Sequence, residues 1–583
     1  MRSTFSGLNT MVRGVFSNQL SLDTVGHNIT NASTEGYSRQ SVNLAATRGQ
    51  NVSSLYGDVI VGTGVDSVSI QRARNVYADK QFWSETAQQQ YYKTCQTNYD
   101  KVEAIFNDSD KTGILNSMEE FYKAWQDLSI NASTDSNRVA VVEKGNVFTD
   151  KLKTATQQMQ SQITSQYDDM SSTLTKINDI TNQLTKLNQN IMTTEATGAS
   201  ANDLRDKRDL LVDELSGYMN LNVYEDDNGM YTVVSNGVSM VNGINRLTLE
   251  MSVPIANSTY GINDYSIQIK ESGIAYIPTD GSLKAQLDTI AEDKSYIDKM
   301  ADMAGFMLTT FNNMHQQGAG IDGSDSSLGT ADGPTFGINF FGDNNTVYTW
   351  DSDTRSVVAT ELKNDGTITR SLDYTESTAN GVTTRRPTVK IDGTVETKKN
   401  LDGVNIINAL TINSAITAAG GTSLIAARSF TVTQDTDANG AYIDNKYSVT
   451  ASGPKDGTNA VNMSSLFNLE KSNVTTTADV SFNGTAVSND KRAIDDISLN
   501  AYYNSMMSQL GSDSESVDDK ADAQDDLINQ IVSWRSSTSG VDWNEELTNM
   551  IMFQQGYSAC SRCLTTMDEM LDKLINSTGT VGR

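Results

Sequence analysis

Towards the C-terminal end, Met550, Phe553, Tyr557, Cys560, Leu564, Met567, Leu571 and Leu574 follow one another at intervals of three and four residues without a gap. Only a helix gathers such residues on one side, and an unbroken alternation of three and four is the pattern of a helix lying along another helix. The opposite end repeats the rhythm. Phe5, Leu8, Val12, Val15, Leu22 and Ile29 keep the same phase, with Gln19 and Gly26 in the two vacant steps, and Asn31, Ser33, Thr34 and Gly36 supply the stop. Neither stripe has a partner nearby in sequence, so the expectation is that the two ends pack on each other. Two helices that merely cap one globular core are the alternative, and there too the ends meet.

Between the ends the chain changes character several times. Residues 76–215 read as helix, and Met159, Ile163, Met170, Leu174, Ile177, Leu184 and Ile191 mark one long rod. A second helix runs from Asn202 to Ser216, charged along Leu204-Arg205-Asp206-Lys207-Arg208-Asp209, with Leu204, Leu211 and Leu215 expected inward. From residue 217 the period switches to two, with turn pairs at Asn228-Gly229 and Asn236-Gly237. Helix returns over 283–316, a Gly-, Thr-, Asn- and Asp-rich β segment covers 317–490, and helix resumes from about Asp495 to Ser537. Helix, β, helix, β, helix is compact only as nested insertions. The expected fold is therefore multidomain α plus β, a discontinuous helical stem with two β-rich domains inserted. Residues 1–45 and 541–583 form the terminal coiled-coil helices; 46–216, 283–320 and 491–540 the stem; 217–282 a small β domain; and 321–490 an outer β-rich domain.

Composition narrows the function. A net charge of −28 disfavours nucleic acid, which needs a basic footprint. No apolar run approaches the ~20 residues that span a bilayer, and the opening residues lack a secretory h-region. Neither membrane insertion nor a cleaved signal peptide is expected. Residues 1–50 carry Arg2, Arg13, Arg39 and Arg48 against Asp23 and Glu35, whereas 541–583 are net acidic, so the ends are mildly complementary. Three cysteines exclude a disulfide scaffold. No proline precedes Pro254, which suits long helices.

Local motifs point away from chemistry. Cys560-Ser561-Arg562-Cys563 sits mid-helix with Cys560 in the stripe, whereas a redox C-x-x-C opens a helix, and no second pair completes a zinc site. Asp435-Thr436-Asp437-Ala438-Asn439-Gly440 opens like a calcium loop, but Lys446 stands where the bidentate Glu belongs, so a hairpin tip is expected. The acidic run from Asp513 to Asp526 reads as a solvated helix face. Gly62-Thr63-Gly64 lacks the third glycine of a dinucleotide turn. His27 and His315 belong to no metal or triad pattern. The reading is of a protein that is not an enzyme and has no catalytic residue, cofactor or metal.

Ser6-Gly7-Leu8 followed by Asn28-Ile29-Thr30-Asn31-Ala32-Ser33-Thr34-Glu35-Gly36-Tyr37-Ser38-Arg39-Gln40 resembles the N-terminal signature of the flagellar rod, hook and hook-associated proteins. Gly62-Thr63-Gly64-Val65-Asp66, with Ile70-Gln71-Arg72 and Gln81, resembles its next block. Ser539-Gly540-Val541-Asp542, Glu545 to Asn549, Phe553-Gln554-Gln555-Gly556-Tyr557 and Met567 to Asp572 resemble the matching C-terminal block. Three features are similar to the FlgK family within that group: Ser38-Arg39-Gln40 after Gly-Tyr, the helix Asn202 to Leu211, and Phe311 to Gly318 running into Gly320-Ile321-Asp322-Gly323. The likeness covers about 1–320 and 495–580 and fades over 330–490. His27, Glu35, Trp543 and the tail from Ser577 to Arg583 depart from the family pattern.

The resemblance implies a structural subunit that joins hook to filament and enables filament assembly, exported by the flagellum's own type III channel without signal cleavage and residing outside the cell in the flagellum. It implies as partners further copies of the chain in a ring, the flagellar hook protein, hook-associated protein 3, and a cytoplasmic export chaperone on the C-terminal helix. The expected subunit and chaperone contact seams are Phe5, Leu8, Val12, Val15, Leu22 and Ile29, and Met550, Phe553, Tyr557, Leu564, Met567, Leu571 and Leu574. A hook or distal rod axial subunit, or an axial protein whose outer β domain is an adhesin, are the alternatives.

Overall fold

The computed structural model describes residues 6–54, 57–106, 113–321, 337–470, 480–487, 493–494 and 496–577. Phe5 of the expected N-terminal seam lies outside them, as do Asp322 and Gly323 of the resemblance and the tail beyond Ser577. The chain opens with α1 (Ser6–Asn31). Residues 40–72, most of which fall within the span assigned to the stem, form an antiparallel ribbon. Its strands β1 (Gln40–Ala46) and β4 (Val65–Arg72) pair from Gln40 opposite Arg72 to Ala46 opposite Val65. Strands β2 (Gln50–Ser54) and β3 (Gly57–Val61) extend it as a hairpin.

The stem follows as α2 (Val76–Phe106), α3 (Ile114–Ile130), α4 (Asp135–Glu195) and α5 (Asn202–Tyr218). In α4, all seven residues of the expected rod stripe, from Met159 to Ile191, are buried. At 61 residues α4 is about 90 Å long, and it carries the small β domain along its side. That domain comprises eight short strands, β5 to β12, between Asn222 and Ile269. Asn178 fastens it to α4 by giving Nδ2–H to the Leu249 carbonyl at 2.7 Å and taking the Leu249 N–H at 2.9 Å. Next comes α6 (Ser282–Phe306), passing through a π-helical turn (Met307–Phe311) into α7 (Asn312–Gln316).

The outer domain is built from two small sheets and a hairpin. Strands β13 (Thr346–Asp351), β14 (Ser356–Leu362) and β17 (Val395–Leu401) form the first. The second contains β15 (Thr369–Ala379), β16 (Val382–Asp392), β20 (Val480–Phe482) and β21 (Thr485–Val487). The hairpin is β18 (Phe430–Thr436) with β19 (Tyr442–Ala451), and α8 (Val404–Ala409), α9 (Ser414–Thr417) and α10 (Thr458–Ser465) fill the links. The second sheet rests on a separate small core of Val347, Leu362, Val389, Ile391 and Val480. Inward, the domain meets the stem through a dense aromatic group, Phe121, Trp125, Phe148, Phe311, Phe340 and Phe341. The chain then returns along α2 as α11 (Leu499–Ser539) and closes with α12 (Trp543–Ser577), which lies against α1.

Candidate functional site

α1 and α12 run antiparallel in a fixed register. A β-carbon at Gly7 would stand 3.0 Å from Met567 Cε, and one at Gly14 3.0 Å from Cys560 Sγ. Asn18 Oδ1 lies 2.6 Å from the β-carbon position of Gly556, and Asn28 gives Nδ2–H to Glu546 Oε2 at 3.1 Å. Each step forward along α1 is thus matched by an equal step back along α12. The seam side of α1 is Gly7, Gly14, Asn18 and Asn28, with the buried Ser21 and Val25 in the same phase. Small residues there let the two backbones approach closely.

The apolar stripe of α1 is therefore not the seam. Leu8, Val12, Val15, Leu22 and Ile29 each fall one position later, which turns them about 100° away, and all five are half-buried. On α12, Phe553, Leu564, Met567 and Leu571 are half-buried, as is Met550, whereas Tyr557 and Leu574 are 39% and 55% exposed. Leu547, Met550 and Tyr557 follow Glu546, Asn549 and Gly556 by the same single step. In an antiparallel pair, equal steps past the seam bring both stripes to one side of the duplex. The ribbon occupies the other: Thr10 and Arg13, one step before the seam, meet Gly64 and Asp66, and Arg13 pairs with Asp66 at 2.6 Å. The bare flank includes Trp543 and Ile551, 51% and 57% exposed.

At the root of the duplex lies a buried cluster of charges. Of the leucines expected inward on α5, Leu215 is fully buried beside Val212, whereas Leu204 and Leu211 are only half-buried, and Asp206, Arg208 and Asp209 are buried with them, so the inward face is partly the charged one. Arg72 bridges Asp206 at 2.7 Å and Asp209 at 2.8 Å. Arg74 pairs with Asp79 at 3.0 Å, and Arg535 of α11 reaches Asp79 at 2.9 Å and Asp213 at 2.8 Å. Trp83 donates its indole N–H to Asp213 at 2.5 Å, and Tyr231 donates to Asp209 at 2.8 Å. Burial raises the Asp209 carboxyl, but Arg74 and Arg72 outweigh it and hold the group below the usual carboxylate range; Asp213, with burial dominant, is pushed up. Arg208, fully buried, lies over the Tyr231 ring at 3.3 Å and gives N–H bonds to the Gly229 carbonyl and Asn188. The missed signal was the 206–209 spacing, which places both acids on one helix face toward Arg72.

The signature loop links this cluster to the duplex. Gly36 turns the chain at φ +76°, a left-handed value that favours glycine. Burial, with Asp203, Asp206 and Glu546, raises the Tyr37 hydroxyl, which stays protonated and donates to Asn28 Oδ1 at 2.7 Å. His27 Nδ1 then donates to that hydroxyl at 3.0 Å. The Ser38 N–H goes to Asp206 at 3.0 Å, and the Arg39 N–H to the Ser539 carbonyl at 2.9 Å.

The remaining motifs are structural in this chain. Cys560 is half-buried in the seam and Cys563 exposed, both as free thiols. Asp437 caps its own turn through the N–H groups of Asn439 and Ala441, at the tip joining β18 and β19. His315 is buried and held neutral, pushed down to about 4 by burial; its Nδ1 donates to the Ile338 carbonyl and its Nε2 accepts the Ala426 N–H. Among the described residues no cluster of His, Cys, Asp or Glu could hold a metal, and no helix is long and apolar enough to cross a membrane.

Comparison with known proteins places this architecture. Residues 99–331 match the model of the flagellar hook-associated protein FlgK helical domain, and 535–577 that of the flagellar basal body rod FlgEFG protein C-terminal region. Flagellar hook-associated protein 1 of Bacillus subtilis is 25% identical, covering 100% of both chains. The protein of that name from Salmonella typhimurium is 26% identical over 98% of this chain and 99% of its own, and that from Escherichia coli 24% identical with the same coverage. In fold, the chain is similar to the flagellar hook junction protein FlgK from Burkholderia pseudomallei, with a TM-score of 0.52 at 18% identity over 79% of this chain and 100% of that one. Paired termini, a long-helix stem and inserted β domains define a structural subunit of the bacterial flagellum, of the hook-associated class. The helical-domain match and the full-length relatives together support the FlgK family, that of flagellar hook-associated protein 1.

Proposed function

We propose that this subunit forms the junction between hook and filament and enables filament assembly, with no catalytic step. The observation that carries the reading is the bare apolar flank of the terminal duplex, where Trp543, Leu547, Ile551 and Tyr557 stand beside Leu8, Val12, Val15, Leu22 and Ile29. Exposed apolar surface of this extent marks an interaction site. Further copies of the chain cover that flank in a ring, the hook protein and hook-associated protein 3 lie on either side along the axis, and a cytoplasmic chaperone shields α12 before export. Of the other expected residues, Met550, Leu564 and Leu571 keep the phase of Tyr557 and extend this flank, whereas Phe553, Met567 and Leu574 keep that of Cys560, on the side turned to α1. Export runs through the flagellum's own type III channel without a cleaved signal, and the working protein lies outside the cell.

A strain deleted for the chain is expected to build hooks without filaments and to release flagellin monomer into the medium. Normal filaments in that strain would overturn the reading. A distal rod or hook subunit would instead leave no hook, and an adhesin would leave assembly intact while surface attachment fell.

A further inference from the structure

Asn28 is 1% exposed and uses all of its amide capacity. Its Oδ1 accepts the Gln40 N–H at 2.9 Å and the Tyr37 hydroxyl at 2.7 Å. Its Nδ2 donates to the Gln40 carbonyl at 2.8 Å and to Glu546 at 3.1 Å. It therefore grips both backbone groups of Gln40, the first residue of β1, as a neighbouring strand would. Glu546, also 1% exposed, is the one buried side chain among the described residues of α12, and its other oxygen accepts Arg39 Nε–H at 2.8 Å. The Arg39 carbonyl accepts the Ala73 N–H at 2.8 Å, just past the end of β4, and Gln40 pairs with Arg72. Two routes thus lead from one carboxylate on α12 to the two strands at the ribbon's root, through Asn28 to β1 and through Arg39 to β4.

We infer that Asn28, Arg39 and Glu546 form a latch by which the seating of α12 on α1 sets the order and direction of the β1–β4 ribbon. The ribbon root is also anchored to α5, where Asn202 bonds Gln40 and the Ile70 carbonyl and Arg72 bridges Asp206 and Asp209, but its link to α12 runs through Asn28 and Arg39. A two-stranded ribbon is marginal alone, and Leu44, Val59, Ile60 and Val68 along it are exposed. When α12 is lifted, Asn28 and Arg39 lose their buried acceptor together, and the grip on Gln40 loosens. On the reading proposed above, a subunit or chaperone engaging α12 thereby also changes the surface the ribbon offers.

Amide hydrogen exchange on the full-length protein tests the latch without reference to the flagellum, so its failure is distinct from failure of the junction reading. Glu546→Ala is expected to speed exchange over 38–46 and 65–73 by about tenfold, with 85–100 in α2 unchanged. Glu545→Ala removes only the exposed arm to Arg39 and should change these segments less than twofold. Because coupling is reciprocal, Asn28→Ala should in turn speed exchange over 544–550. Should Glu546→Ala unfold the stem, Glu546→Gln is read instead, since it keeps the volume but sets an N–H against Asn28 Nδ2. The inference is overturned if 38–46 exchanges unprotected in the wild type, if only α12 responds to the change at Glu546, or if Glu545→Ala acts equally.

Discussion

Gly14 sits directly beneath the sulfur of Cys560, with room for no more than a hydrogen where a β-carbon would stand 3.0 Å from Sγ. The closeness of the two chain ends depends on it. Gly14→Val should force α1 from α12 and cost about 1–3 kcal/mol, seen as earlier loss of helical ellipticity in urea. Gly26, with nothing within 4 Å of its β position, should behave oppositely: Gly26→Ala is expected to stabilise α1 by roughly 0.5–1 kcal/mol.

The charge cluster at the joint should tolerate little. Asp209→Ala leaves Arg72 and Arg74 buried with one acceptor fewer, a change of the kind that costs about 3–5 kcal/mol. Fluorescence of Trp83, whose indole N–H is held by Asp213, reports the transition during chemical denaturation. Lys207→Ala, on the exposed side of the same helix, should stay within about 0.5 kcal/mol of wild type.

The stem should weaken as pH rises through the mildly acidic range. Asp293 is buried between α2, α4 and α6, bonded by Asn98 and Gln166 at 2.9 Å each, and burial pushes its carboxyl up to about 7. Asp302 moves the same way, to about 6. A carboxyl raised in the folded state favours the protonated form, so stability is greatest below the unfolded value near ~4 and is lost as pH climbs towards 7. Asp209, held low, acts in the other sense and loses its contribution only below the usual carboxylate range. Urea midpoints should therefore peak near pH ~4–5, and Asp293→Asn should flatten the later fall, by roughly 2–4 kcal/mol at neutral pH.

On the terminal duplex, seam and flank should separate by phenotype. Leu547→Asp and Ile551→Asp change exposed positions and should leave unfolding within about 0.5 kcal/mol of wild type while abolishing incorporation, read as flagellin released into the medium. Phe553→Asp or Met567→Asp, half-buried and in the phase of Glu546 and Cys560 that faces α1, should abolish incorporation and lower the stability of the duplex as well, leaving the outer domain folded.

The long elements were legible because one residue type recurs on one face. The α4 stripe from Met159 to Ile191 is buried at every position, since a helix enclosed by stem and β domain needs a continuous apolar side. The phase of α1 was not legible. Periodicity shows where apolar residues lie but not what covers them, and this helix turns Gly7, Gly14 and Asn28 to its intramolecular partner and its aliphatic residues to a flank. The joint was hidden for a related reason. Arg205 to Asp209 reads as solvated until Arg72 and Arg74, more than a hundred residues earlier, are brought against it by the ribbon. Asn28 and Tyr37 to Gln40 stood out only through a family likeness, whose physical basis is the set of bonds they make to α5, α11 and α12.

α4 also serves as a ruler. Its first turns meet the outer domain, where Arg138 donates to the carbonyls of Thr422 and Ile425, and its last lie beside the cleft against α1, lined by Thr194 and Leu20. Its span therefore sets how far outward the β layer is carried from the paired ends. Excising whole heptads from it, with the matching lengths of α2, α6 and α11, would draw that layer inward by about 10 Å each time while nearly preserving which faces meet. Shortening by five residues would instead rotate one end of the molecule about 140° against the other.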